Sequence, residues 1–201
     1  MPKITYKKDF NALPDSVLKD YGIINSYEFK EELYEIFIAY EKGYSSFDYD
    51  LLKSICTNKY FLTVSNELSY LERMQQRRVL ENFQRNSIII DSMANNGHAL
   101  TASAVISITS NNYIIDKNGE FVKGNKYALK TQKLNIIFSK NINDITNDAM
   151  RCPSCGAPIK KVGSTCDYCK ASITPKLTWK INSINRITEE EKKQDSPIKM
   201  Y

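Results

Sequence analysis

Long hydrophobic runs are missing from this sequence. The longest uninterrupted aliphatic stretch is Ile88–Ile90, set between Ser87 and Asp91, whereas a helix needs about 20 mostly apolar residues to cross a bilayer. A spanning helix is therefore not expected. The first ten residues carry basic groups but no apolar stretch follows them, so no secretory signal is expected and the chain is read as cytoplasmic. Histidine is nearly absent, since His98 is the only one, and this removes most mechanisms that need an imidazole base. Dense charge of one sign is absent too. Lys and Arg total 28 against 23 Asp and Glu, a formal charge of +5 dispersed through mixed-sign stretches; such an excess serves solubility and does not by itself argue for nucleic acid. No internal repeat appears apart from two cysteine pairs, and no low-complexity segment.

What is present is enough for one real core. With 201 residues and 42% hydrophobic content, one main domain and a small satellite module are expected. Residues 1–25 show no sustained periodicity and read as an N-terminal arm. Ser26 then precedes Phe29, Leu33, Ile36, Phe37 and Tyr40, the spacing of an amphipathic helix with Ser26 as a candidate N-cap. Gly43 and the Ser45-Ser46 pair read as its end, Asp48 as the cap of a shorter second helix with Leu51, Leu52 and Ile55, and a third helix is expected from about Asn58 through Arg77, with Phe61, Val64, Leu68 and Leu71 on one face.

After Arg85 the period becomes two. Leu100, Ala102, Ala104, Ile106 and Ile108 alternate with Thr101, Ser103, Ser107 and Thr109, Val105 being the apolar exception, so one face of a strand is expected to be buried. Asn95-Asn96-Gly97 and Asn118-Gly119 are hairpin signals, because Asn and Gly tolerate positive φ. Tyr127 and Leu129 are apolar at odd positions but Leu134, Ile136 and Phe138 at even ones, which predicts a bulge or bend near Thr131. Beyond residue 175, Leu177, Trp179 and Ile181 again alternate with polar residues. A half-buried strand carrying a tryptophan needs a sheet to lie on, so the chain is expected to return to the main sheet there.

Between these strands lie Cys152-Pro153-Ser154-Cys155-Gly156 and Cys166-Asp167-Tyr168-Cys169-Lys170, two Cys-x2-Cys units ten residues apart. Two residues between ligands let each pair form a tight knuckle, and four thiolates suit tetrahedral Zn²⁺ with no open position for water. In a reducing compartment, paired cysteines mean metal sooner than disulfide. Cys152, Cys155, Cys166 and Cys169 are thus expected to hold one structural zinc, with redox pairs and an iron site as the alternatives. Lys160, Lys161 and Lys170 flank the knuckles and offset the charge of the tetrathiolate.

The remaining candidates read blandly. Cys56 beside Ile55 is a small core residue rather than a fifth ligand, and His98 adjoins a turn and is expected to be exposed. Arg73, Arg77, Arg78 and Arg85 could form a basic stripe at the end of the third helix, for which a solvated helix C-terminus is the commoner role.

Taken together, the helices beginning at Phe29–Tyr40, the antiparallel strands, the two cysteine units and the Trp179 strand resemble the bacterial zinc-ribbon branch of the Tim-forty-four-like family, over roughly residues 26–187. The resemblance implies an α+β cone of the nuclear-transport-factor-two-like kind, with about three N-terminal helices packed on a curved antiparallel sheet and a zinc ribbon inserted between its last strands. The corresponding division is an arm at 1–25, the α+β domain at 26–150 plus 176–187, the ribbon at 151–175 and a polar tail at 188–201. It further implies a non-enzymatic binding or transport-associated module that engages a protein or peptide, with peripheral association with the inner face of the membrane left open. The family supplies no catalytic motif, so only the four cysteines carry over. The alternatives are a nucleic-acid-binding ribbon protein, supported by Lys160, Lys161, Lys170 and Lys176, and, third, an enzyme using the concave pocket. Against the last, the strand positions expected to line that pocket show aliphatic and Ser/Thr side chains and no acid/base pair.

Overall fold

The computed structural model describes residues 10–141, 155–157, 166, 168–170 and 179–187, and residues 3–5 by their backbone. Cys152, Lys160, Lys161, Lys176, Leu177 and the tail at 188–201 lie outside the described residues. The protein is α+β. Its elements run β1 (Lys3–Thr5), α1 (Asp15–Asp20), α2 (Ser26–Ser46), α3 (Tyr49–Ile55), α4 (Asn58–Arg73), β2 (Gln76–Asn95), β3 (Ala99–Asp116), β4 (Phe121–Asn141) and β5 (Lys180–Ile187).

Helices α2, α3 and α4 start where short polar side chains satisfy orphan backbone donors. Asn25, rather than Ser26, caps α2: its Oδ1 accepts from the N–H groups of Tyr27 and Glu28. Asp48 caps α3 by accepting from Leu51 N–H at 2.9 Å, and Thr57 Oγ1 accepts from Tyr60 N–H at 3.4 Å to begin α4. Gly43 does not stop α2, which runs on to Ser46 and ends at Phe47 in the left-handed region, φ 57°. The role of Gly43 is contact. A Cβ there would lie 3.1 Å from Leu52 Cγ, so glycine lets α3 pack closely on α2. Within the segment read as an arm, α1 buries Leu18 completely; six residues are too few to show a helical period.

The third expected helix ends earlier than its reading. Val64, Leu68 and Leu71 are buried on α4, but Met74, at the next position of the stripe, is exposed, and Gln75 turns the chain with φ 53°. Residues 76–85, read as the end of a helix and its exit, are the first half of β2 instead.

The sheet order is β1-β5-β4-β3-β2, antiparallel except for the β1–β5 pair. β2, β3 and β4 are 20, 18 and 21 residues long, several times an ordinary strand. Strands of this length bend by bulging, and the β2–β3 register shifts between Glu81 and Gln84, Arg85 and Ser87, and Ile90 and Ser92. Between β3 and β4, Ser110 pairs with Lys130 and Asn112 with Asn125. The extra β4 residues form the irregularity expected near Thr131, and they leave Tyr127 and Leu129 exposed. Both Asn-Gly turns close hairpins, with Gly97 and Gly119 at φ 83° and 82°; at the first, Asn96 Oδ1 accepts from the N–H groups of His98 and Ala99.

All four helices contribute to a core on one face of the sheet. Leu33, Ile36 and Phe37 of α2, Leu52 of α3 and Leu68 of α4 meet Ala102, Ala104, Ile106 and Ile108 of β3 and Ile136 and Phe138 of β4. β5 closes this core beside β4. Trp179 is 2% exposed and its ring lies 5.4 Å from Phe29, while Thr57 N–H donates to Ile181 C=O at 2.9 Å, tying the start of α4 to the strand. Cys56 is fully buried, bridged to Ile181, and burial pushes its thiol up to about 12. Such a thiol is an inert core residue. No helix among the described residues is long and apolar enough to cross a membrane.

Candidate metal centre and cavity

The sulfurs of Cys155, Cys166 and Cys169 all lie within 4.8 Å of one another. Cys155 Sγ and Cys166 Sγ are 3.8 Å apart, close to the separation of about 3.8 Å for two thiolates each about 2.3 Å from a tetrahedral ion. Local backbone explains the approach. Gly156 follows Cys155 at φ 72° and Lys170 follows Cys169 at φ 60°, so the two knuckles turn through the same left-handed conformation at equivalent places. Lys170 N–H donates to Cys166 C=O at 3.0 Å and closes the second turn. Gly156 takes the conformation without strain; Lys170 takes it at a cost of about 1–2 kcal/mol. Cys166 is buried, and Cys155 and Cys169 are exposed. The three thiols therefore fit a metal ion as donors and in spacing; the fourth expected ligand, Cys152, lies outside the described residues.

A second site was not legible from the sequence. Between α2 and α4 on one side and β2–β5 on the other lies a cavity of about 1190 Å³. The residues that shape its polar wall come mainly from helices. Tyr40, Glu41 and Tyr44 lie near the end of α2, on the turns after Leu33 and Phe37, so that a core stripe turns polar at one end. Tyr60 from the first turn of α4 and Glu67 from its middle join them, and Arg78 and Ser110 reach in from β2 and β3. Arg78 forms a buried ion pair with Glu41, their side chains 19% and 10% exposed, and the Arg78 guanidinium lies 4.2 Å from the centroid of the Tyr44 ring. Tyr44 O–H donates to Glu67 Oε2 at 3.3 Å, and the Tyr40 and Tyr60 hydroxyls are 3.4 Å apart.

Burial raises the pKa of one carboxyl and three phenols in this wall. It pushes the Glu41 carboxyl up, against the pull of Arg78. Tyr40 and Tyr60 are also raised, mainly by burial, and burial with the neighbouring Glu67 charge takes Tyr44 to about 12. Among the described residues, Arg78 Nε and Ser110 Oγ are buried atoms of the cavity lining with no hydrogen-bond partner.

The basic stripe does not exist. Arg73 ends α4, Arg77 and Arg78 sit on β2, and Arg85 bonds Glu31 of α2 at 2.7 Å with its guanidinium 4.4 Å from the Tyr34 ring. Consecutive residues of a strand face opposite ways, so Arg78 turns inward to Glu41 while Arg73, Arg77 and Arg85 are exposed. His98 is exposed in its turn.

No family model matches the chain, and no curated protein matches it. Among solved structures, the intermembrane space region of the chloroplast protein ARC6 is similar, with a TM-score of 0.41 and 8% identity over 78% of this chain and 95% of that one. A likeness this distant carries no argument about function.

Proposed function

We propose that this protein is a non-enzymatic binding module of the Tim-forty-four-like kind, a nuclear-transport-factor-two-like cone whose cavity receives a partner and whose cysteine segment is an inserted ribbon. In this reading Cys152 joins Cys155, Cys166 and Cys169 around one structural zinc, which supplies folding energy to the ribbon and takes no part in chemistry. The partner is a protein, a peptide or a membrane-surface component.

The pairing of charged groups inside the cavity supports a binding role over a catalytic one. Glu41 is engaged by Arg78 and Glu67 accepts from Tyr44, so the carboxylates that could act as bases are already held, while the cavity is large enough for an extended ligand. Thr63, exposed on α4 at the cavity wall, offers a block that spares the core. The protein recovered from its native cell with membranes retained is compared with Thr63→Trp. A protein, peptide or lipid that accompanies the wild type and is lost from the variant supports the reading. Identical co-purifying species, or nucleic acid alone, would overturn it in favour of the ribbon as the working surface.

A further inference from the structure

We infer that the outer edge of β4, residues 121–130, docks on an anionic membrane surface, with Tyr127 and Leu129 in the headgroup layer and Lys123, Lys126 and Lys130 on the lipid phosphates. The assignment rests on the reading of this protein as a binding module and selects the membrane surface among its partners. The contact lies beside the cavity and not in it, since Phe121, Tyr127 and Leu129 are not part of the cavity wall.

β5 pairs with β4 only from Lys133 to Ser139, so among the described residues no strand pairs with the outer side of residues 121–132. At this open edge the chain leaves the ladder. Ser110 pairs with Lys130 and Asn112 with Asn125, which sets residues 126–129 against the single residue Asn111. The excursion is fixed in place. Asn111, 5% exposed, donates from Nδ2 to Lys126 C=O at 3.2 Å and accepts at Oδ1 from Asn82 Nδ2 at 2.7 Å. Gly124, at φ 112°, enters the excursion where a Cβ would lie 2.5 Å from Asn112 O and 2.6 Å from Tyr113 Cα, so only glycine fits there. The Lys126 ammonium lies 5.8 and 5.7 Å from the ring centroids of Tyr113 and Tyr127 and braces one against the other.

Lysines and a bulge on an open strand edge oppose edge-to-edge pairing, which accounts for the lysines but not for what lies between them. Tyr127 is 86% exposed, Leu129 55% and Phe121 42%. Apolar side chains held out to solvent by a buried amide work against that protection and mark a contact surface. Charge selects the partner. Leaving aside Arg78, which pairs with Glu41, residues 76–81 and 111–130 carry five cations, Arg77, Lys117, Lys123, Lys126 and Lys130, against the three acids Glu81, Asp116 and Glu120. Shape narrows it further. A side chain this exposed on a strand edge has no wall beside it to enclose a small ligand, and a standard protein interface takes about 20–30 residues from each side where this ridge offers about ten. The rings of Phe121 and Tyr127 are tilted by 50° and those of Tyr113 and Phe121 by 46°, whereas stacked bases need ring faces presented in succession. Tyrosine and leucine side chains flanked by lysines suit the interface of an anionic bilayer, where apolar burial and attraction to the headgroups add.

Co-sedimentation of the purified full chain with large unilamellar vesicles tests this, with phosphatidylcholine alone and with phosphatidylcholine containing about 30% phosphatidylglycerol. Binding to the anionic vesicles is expected to be about tenfold tighter than to the neutral ones and to fall about tenfold between about 50 mM and about 500 mM NaCl. Tyr127→Ser combined with Leu129→Ser should weaken anionic-vesicle binding about tenfold without lowering the melting temperature, because both side chains are exposed. Lys126→Gln combined with Lys130→Gln should cost about tenfold and flatten the salt dependence. In Tyr127→Trp the added emission should shift to the blue on anionic vesicles, while Trp179 of the wild type, 2% exposed, should not respond. Thr63→Trp blocks the cavity and should bind these vesicles as the wild type does, so the ridge and the cavity fail separately. Equal binding to both vesicles, binding to neither, or undiminished binding by the serine variant overturns the assignment. So does binding of an oligothymidylate of about 20 nucleotides that the serine variant loses while no vesicle is bound, which would make the ridge a site for single-stranded nucleic acid.

Discussion

The cysteine cluster and the polar cavity hold reactive groups together in opposite ways. In the cluster, three sulfurs meet because two short turns repeat one backbone conformation, at Gly156 and Lys170, and the cysteines of the second pair are three residues apart. In the cavity, Tyr40, Glu41, Tyr60, Arg78 and Ser110 come from two helices and two strands and meet only because those elements pack on one core. A locally built site can lose its ligand and leave the rest of the molecule standing. A site assembled from distant elements fails with the fold, and the fold feels its loss.

The comparison breaks most severely if the strand beyond the cysteines is removed. Cutting the chain after Met150 deletes β5 and uncovers the core at Phe29. Burial of Trp179 alone is worth roughly 4–6 kcal/mol gross, at about 25 cal/mol per Å² over about 150–250 Å², against a typical net stability of about 5–15 kcal/mol. Circular dichroism in urea should show loss of the cooperative transition. A truncated chain that melts as high and as sharply as the whole would make the strand a part of the ribbon.

Next in size is the loss of a metal ligand. Cys166→Ser should lower bound metal from about one ion per chain to near zero by elemental analysis, since structural zinc in small modules carries on the order of 10 kcal/mol. Trp179 emission should stay native, because its ring rests on Phe29 rather than on the cluster. Cys56→Ala should leave the metal content unchanged. A shifted tryptophan spectrum in Cys166→Ser would show that the two regions are coupled.

The cavity should behave the other way. Arg78→Met leaves Glu41 buried without its cation and should cost about 3–5 kcal/mol in chemical denaturation, while Arg78→Met combined with Glu41→Leu should recover most of it. An additive pair would mean that the ion pair contributes nothing to the packing.

The smallest effect is a titration. Tyr44 has its folded pKa raised to about 12 from the ordinary value of 10.0. A raised folded pKa gives stability that is full below the unfolded value and lost as pH rises through the folded one. Stability should therefore fall between pH 10 and 12, and Tyr44→Phe should flatten that fall in urea midpoints followed by tryptophan emission.

Much of this molecule is legible without coordinates where the controlling interactions are local. The period of 3.6 over Phe29–Tyr40, the period of two over Leu100–Ile108, the Asn-Gly turns and the second Cys-x2-Cys knuckle each depend on residues within a few positions of one another, and each is found where the pattern puts it. Local signals also misled. Gly43 looks like a helix stop because glycine is a poor helix former, yet its reason is the Leu52 side chain on another helix. The four arginines look like one stripe because the helical pattern was carried past Arg73, where a left-handed Gln75 ends it without a Gly or Pro to mark the place. The cavity left a faint trace, since Tyr40 and Tyr44 continue the stripe of Leu33 and Phe37 with polar tips. What no sequence pattern held was the partner of each tip, because Glu41 meets Arg78 across 37 residues and Tyr44 meets Glu67 across 23. The sequence by itself determined most of the helices and strands, the Asn-Gly turns and the approach of Cys155, Cys166 and Cys169, all governed by short-range sterics and hydrogen bonding. Only the tertiary structure decided which polar side chains would be buried against one another, since that depends on how the helices seat on a long bulged sheet.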